Sequence, residues 1–206
     1  MYKGIDISRW QGNIDFHQVK ASGIDFVIIK AGGSDAGFYT DKNFHLNVDG
    51  AVEAGLDFGF YYFVGKYCTS SEAGLADAQR FYNIIKGYLP TYPVYIDFEA
   101  PNNYNRQGNT NACITFCDYM EKQGYYAGIY ASDISGFKDK LYKDQLVRFD
   151  KWVAKYSAYE PRMIPSWGIW QYSSKGRVPG IKGNVDLNRS KHNYPNIIKQ
   201  HHLNGF

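Results

Sequence analysis

Little in this sequence is available for covalent or metal-based stabilisation. Among 206 residues there are three cysteines, Cys68, Cys113 and Cys117. An odd count without a Cys-x-x-Cys pair argues against a disulfide framework and against a zinc site. Cys113 and Cys117 stand four apart, the spacing that puts two side chains on one face of a helix, and all three are expected as buried thiols. No apolar run is long enough to span a bilayer, so membrane insertion is not expected. Met1 to Arg9 lacks the apolar stretch of a secretion signal, so synthesis in the cytoplasm is expected, with separate release, or a leader already removed, for any action outside the cell. Charge of one sign is scarce too: 23 basic against 20 acidic residues leave a net +3. The basic residues are scattered, which gives no footprint for nucleic acid, although a mild positive charge favours approach to an anionic surface.

What the chain does have is aromatic residues, 17% of the total, including 19 Tyr and 13 Phe. Tyrosine joins an apolar ring to a hydroxyl, which suits a groove for ring-shaped, hydroxylated ligands as well as an ordinary core. Strand-like runs recur at 2–8, 25–31, 57–64, 92–99, 125–131, 151–156, 167–172 and 184–187. Several are continuously apolar, as parallel strands buried on both faces are. Helical patterns fill the early gaps at 44–54, 72–85 and 110–122, with Ser71 and Thr110 as candidate N-caps. Gly23, Gly55 and Gly124 each stand where a helix would end in the left-handed conformation just before a strand. This is repeated βα punctuation. After Tyr130 the helical signal weakens and the last three strands follow with little between them. The expected fold is an α/β, TIM-like barrel over residues 1–190, and residues 191–206 read as an aperiodic tail or the start of a linker.

Asp97 and Glu99 close the run Tyr92-Pro-Val-Tyr-Ile-Asp-Phe-Glu. Two apart on a strand, they project to one side, with Cα atoms about 6.5–7 Å apart. They also fall at the strand's C-terminal end, where barrels of this class build active sites. Carboxyls held this close cannot both ionise freely, so one pKa rises. A protonated acid beside an ionised one is what glycoside hydrolysis requires. Asp6, within Gly-Ile-Asp-Ile-Ser, and Asp186, within Asn-Val-Asp-Leu-Asn, alternate with apolar neighbours and are expected to face the same centre, since closure makes the first and last strands adjacent. Asp25 and Asp57 precede their apolar runs and belong to the opposite end of the barrel. Asp15 is placed to open a helix. Near the ends of different strands stand Trp10, Tyr61 or Tyr62, Tyr130, Trp152, Tyr156, Trp170 and Tyr172, candidates to stack on sugar faces. Gln171 and Asn188 are candidates to bind hydroxyl or acetamido groups.

Taken in order, Gly4-Ile-Asp-Ile-Ser-Arg-Trp-Gln-Gly12, Phe26-Val-Ile-Ile-Lys-Ala31, Tyr95-Ile-Asp-Phe-Glu99, Trp152-Val-Ala-Lys-Tyr156, Trp170-Gln-Tyr172 and Val185-Asp-Leu-Asn188 resemble the family 25 glycoside hydrolases, lysozymes of the N-acetylmuramidase type. The resemblance implies a flattened barrel of five βα units followed by three strands. It also implies Glu99 as general acid, with Asp6, Asp97 and Asp186 as the other active-site carboxylates. Its substrate would be bacterial peptidoglycan, cut between N-acetylmuramic acid and N-acetylglucosamine with retention, without metal or cofactor. Asp97 would orient the substrate's acetamido group or act as the nucleophile. Members often carry separate wall-binding repeats, and none is visible in this sequence. Two positions depart from the pattern: Gly32-Gly33 stands where Thr-Glu is frequent, and Tyr62 where His is. The rival readings are a chitin-type enzyme, which would want Asp where Tyr95 stands, and a non-catalytic glycan-binding barrel, which would not need the acid pair.

Overall fold

Side chains along the strands alternate between two environments, and the split runs around the whole sheet. In the computed structural model, which describes residues 1–206, the strands are β1 (Tyr2–Ile7), β2 (Phe26–Gly33), β3 (Tyr39–Thr40), β4 (Asp57–Phe63), β5 (Val94–Asp97), β6 (Ala127–Ser132), β7 (Asp150–Ala154), β8 (Ile169–Gly176) and β9 (Val185–Ser190). On β2, Val27, Ile29 and Ala31 face an outer core under the helices, while Phe26 and Ile28 fill the interior. The same parity sends Val94 and Ile96 of β5 outward and Tyr95 inward, and Val153 of β7 outward and Trp152 inward. Two dry layers on one sheet are what a barrel wrapped by helices requires.

The ring closes in the order β1, β2, β4, β5, β6, β7, β8, β9, with β9 returning to β1, and β3 is a two-residue addition at the end of β2. Seven of the eight barrel strands are parallel, and β9 runs antiparallel to both β8 and β1. The reason is length. Only residues 177–184 join β8 to β9, and a parallel crossover needs a dozen or more residues, whereas a hairpin does not. Glycine matters at Gly4, where an added Cβ would fall 2.2 Å from the Phe26 ring inside the barrel. The bare backbone at Gly4 lets the Phe26 ring lie across the neighbouring strand β1 inside the barrel.

The helices are α1 (Phe16–Ala21), α2 (Phe44–Glu53), α3 (Ser71–Ile85), α4 (Arg106–Lys122) and α5 (Tyr194–Gln200). Asp15 caps α1 by accepting from the Gln18 amide, as expected. The other two caps lie upstream of their expected places. Ser70, not Ser71, caps α3 through the Ala73 amide. Asn105, not Thr110, caps α4, which therefore starts a full turn earlier. The Thr110 hydroxyl instead donates to the Arg106 carbonyl at 2.7 Å and accepts from the Tyr142 amide at 2.9 Å. Gly23, Gly55 and Gly124 all have positive φ, as the junctions demand. The three thiols are free and buried. No helix is long and apolar enough to cross a membrane.

Residues 191–206, expected as an aperiodic tail or the start of a linker, fold onto the barrel's lower end. Tyr194 and Ile198 of α5 enter the interior core. The Tyr194 hydroxyl donates to Asp150 Oδ2 at 2.8 Å, beside the Tyr95 hydroxyl at 2.6 Å. Buried Asn204 donates to the Pro90 and Tyr92 carbonyls and accepts from the Tyr126 amide. A segment this short has too few turns for a periodic pattern to show. Asp25 and Asp57 also lie at this end, bonded to the Lys3 amide and the Thr91 hydroxyl, so the lower face is structural.

Candidate active site

At the upper end, inward parity places four carboxylates around one pocket of about 310 Å³, lined by Asp6, Asp97, Glu99 and Asp186 among others. Asp6 lies near the end of β1, Asp97 ends β5, and Glu99 follows two residues later. Asp186 stands near the start of β9, and only because β9 runs antiparallel does its start reach the upper end. Asp6 and Asp186 are direct cross-strand partners, which puts their Cα atoms about 4.5–5.5 Å apart.

Asp6 is held by a converging hydrogen-bond network. Its Oδ2 accepts from Gln171 Nε2 at 2.9 Å and Asn188 Nδ2 at 2.7 Å. Gln171 Oε1 in turn accepts from the Tyr130 hydroxyl at 2.9 Å and the Tyr156 hydroxyl at 3.1 Å. Asn188 Oδ1 accepts from Trp152 Nε1 at 2.8 Å. Gln171 and Asn188, expected to touch substrate, are thus buried supports with their amides committed to Asp6. Trp152 is buried with them and packs against Tyr130, with ring centres 4.4 Å apart and planes tilted by 53°. Burial, and then the facing Asp186, raise the Asp6 pKa well above the ordinary carboxylate value, against the pull of its two amide partners. Asp186 is raised more modestly by its own burial, and its hydrogen bond with Asp6 opposes the shift. Two carboxyls facing each other this closely resist being ionised together.

Asp97 is buried, and its Oδ1 has no protein partner. Its pKa is raised well above the usual range by burial first and by Glu99 next, with Lys30 opposing. Glu99 opens to solvent in the cleft, yet the surrounding protein still raises its pKa, and Lys140 and Lys30 pull the other way. Glu99 and Tyr130 also line an adjoining basin of about 470 Å³ with Ser132, Ser135, Lys140 and Tyr156. The acid therefore sits where two parts of one groove meet.

Three expected aromatics lie elsewhere. Tyr62 is fully buried on the outer face of β4, packed on Phe81 and Phe116 under the helices. Its neighbour Tyr61 has the inward parity and lines the pocket. Trp170 belongs to the outer core and donates to the Lys155 carbonyl at 2.8 Å. Tyr172 lies on the same side, with Arg189 stacked over both rings. Gln171, between them, is the inward residue of that strand. Trp10, by contrast, is 77% exposed at the pocket mouth. It sits on a turn at Arg9–Gln11 that Ser8 caps by accepting from its amide, while Arg9 lies 5.0 Å over its ring.

The pocket also contains residues that sequence reasoning did not single out as site residues: Lys30, Asp35 and Tyr39. Lys30 follows Phe26 and Ile28 at period two, so the alternation that located Asp97 points to it as well. Asp35 and Tyr39 had no such signal, and they account for Gly32-Gly33. Here β3 folds back on β2, and an added Cβ would fall 2.1 Å from the Tyr39 carbonyl at Gly32 and 2.6 Å from the Phe63 carbonyl at Gly33. No side chain fits at those two positions. The hairpin instead brings Asp35 and Tyr39 to the cleft, with the Tyr39 hydroxyl donating to Asp35 at 2.8 Å.

A TIM-like barrel with acids gathered at the C-terminal end of its strands is an arrangement that glycoside hydrolysis can use. The family model of glycosyl hydrolases family 25 matches residues 5–181, and the chain belongs to that family. It is 34% identical over 189 residues to the autolytic lysozyme of Clostridium acetobutylicum, covering 90% of this chain and 54% of that protein. The chain thus spans about half the length of that relative. Its backbone is similar to the CTP1L endolysin, with a TM-score of 0.83, 26% identity and coverage of 97% of this chain and 70% of that one. It is also similar to a family 25 glycosyl hydrolase from Bacillus anthracis, with a TM-score of 0.78, 25% identity and coverage of 93% and 89%.

Proposed function

We propose that the chain is an N-acetylmuramidase, hydrolysing the β-1,4 bond between N-acetylmuramic acid and N-acetylglucosamine in bacterial peptidoglycan. The observation that carries this reading is Asp97 beside Glu99, one acid buried with a free oxygen and the other open to the groove. Glu99, whose pKa the surrounding protein raises, protonates the glycosidic oxygen as the bond to the leaving N-acetylglucosamine breaks. The acetamido oxygen of the muramic acid closes on C1 to give an oxazolinium. Asp97 Oδ1 accepts the acetamido N–H and steadies its positive charge. Glu99, now ionised, takes a proton from water, which adds to C1 with net retention. Asp6 and Asp186 hold the negative charge and geometry of the pocket floor, and Trp10, Tyr61 and Tyr156 offer faces to the sugars. The work is done at the cell wall, and a wall-binding module elsewhere in a longer protein would fit this assignment.

Mass spectrometry of digests of purified peptidoglycan tests the reading. New reducing ends on muramic acid are expected. Reducing ends on glucosamine would assign a glucosaminidase, and undigested wall would refute the activity.

A further inference from the structure

Resting on the assignment of Glu99 as general acid, the geometry assigns Lys140 as the residue that positions it. One ammonium group holds the backbone at the acid and adds a positive charge to the same cleft. The Lys140 side chain donates to the Glu99 carbonyl oxygen. It reaches there from the segment after β6, where a π-helical turn (Asp133–Lys138) replaces a full crossover helix. That segment is tied down at several points. Asp133 accepts from the Arg162 and Met163 amides at 3.1 and 3.0 Å, and the Lys140 amide donates to the Gly136 carbonyl at 2.9 Å. Arg106 donates to the Lys138 and Leu141 carbonyls at 3.0 and 2.7 Å.

One side chain joins this segment to the loop that leaves the acid. Asn109 Nδ2 on α4 donates to the Lys140 carbonyl at 3.2 Å and to the Asn102 carbonyl at 2.7 Å. Asn109 is buried. The Glu99 backbone, the loop after it and the Lys140 turn are thereby one bonded unit, and the lysine is placed before substrate arrives. Preorganised charge of this kind needs no rearrangement during reaction.

The charges facing Glu99 come from every side: Lys140 after β6, Lys30 from β2, Asp186 from β9 and Asp97 from its own strand, with the Tyr130 and Tyr156 rings nearby. After burial, Lys140 acts on Glu99 more strongly than any other charge, and it favours the ionised form. Removing it must raise the Glu99 pKa and carry activity to higher pH, while loosening the backbone lowers kcat more than it changes KM.

The test is the titration of the Glu99 side-chain carboxyl by carbon-13 NMR, assigned with Glu99→Gln, in wild type, Lys140→Met and Lys140→Arg. The Met variant is expected to move the midpoint up by about 0.3–0.7 pH unit, the size of one partly exposed charge neighbour. Its alkaline limb of kcat/KM should move with it. Arg should stay within about 0.2 unit of wild type, because its charge is retained. If Met is poorly tolerated, Lys140→Gln gives the same reading without the charge. An unmoved midpoint in the Met or Gln variant, or an equal shift in Arg, overturns the assignment. The titration needs no substrate, so a failure of the muramidase reading shows separately, as a missing reaction.

Discussion

Replacing Asp97 with Asn should make the protein more stable at neutral pH while disabling it. Asp97 is 4% exposed, and one of its carboxyl oxygens has no partner. Its pKa is raised by burial and by Glu99, so ionisation is less favourable in the folded chain than in the unfolded one. The sign follows from linkage. Below the unfolded value near 3.9 both states are protonated and nothing is lost. As pH rises from there through the raised folded value, the unfolded state gives up its proton first and stability falls. The penalty grows until the pH has passed the raised folded value and is constant above it. A buried polar group without a partner costs about 1–3 kcal/mol and a charged one more; Asn removes the charge but keeps an unpaired amide, so a gain of about 1–2 kcal/mol is expected. For a chain of this length, each kcal/mol moves Tm by about 2–4 °C, which gives a rise of about 2–8 °C at pH 7. Melting curves at pH 4 and pH 7, with wall lysis assayed on the same samples, provide the measurement. A lower Tm at pH 7, or a gain at pH 4 as large as at pH 7, would refute the reasoning.

Asp6→Asn and Asp186→Asn should each reduce activity, and the double variant should lose less than the sum, with a coupling of about 0.5–3 kcal/mol between facing partners; strict additivity in kcat/KM would separate the two groups. Trp10→Ala should raise KM with Tm within about 1 °C, because an exposed side chain on a capped turn contributes little to the fold; an unchanged KM would remove Trp10 from the substrate groove. Asn204→Ala leaves two carbonyls and one amide without partners at the barrel's lower end. It should cost about 2–4 kcal/mol in denaturant unfolding, and a loss under about 1 kcal/mol would mean that the closing segment is not integral to the barrel.

Much of the site was legible because a strand has period two. Asp97 and Glu99 following an apolar run needed only that rule and the polarity of barrel active sites. The same rule, applied strictly, would have chosen Tyr61 over Tyr62 and set aside Trp170 and Tyr172, since Gln171 between them takes the inward place. Aromatic content alone cannot say which face a ring occupies, because both layers of this barrel are rich in Tyr, Phe and Trp. Asp186 lies at the pocket for a reason its own segment does not contain: the short connection after β8 reverses β9. What was illegible depends on distant contacts. Asp35 and Tyr39 reach the cleft through a backbone that folds against Gly32 and Gly33, and Lys140 reaches Glu99 from a turn held by Asn109. Helix α5 is too brief for periodicity, and its role shows only in the barrel floor it fills.

The central claim is that Glu99 supplies the proton for bond cleavage. Its most direct measurement is the rate of reducing-end release from purified peptidoglycan by Glu99→Gln, with its melting curve recorded alongside. Gln keeps the size and the hydrogen-bonding shape of Glu but has no proton to give. The account predicts an unchanged or higher Tm and a rate about 10²- to 10⁴-fold below wild type. A folded Glu99→Gln protein within a few-fold of the wild-type rate would contradict it.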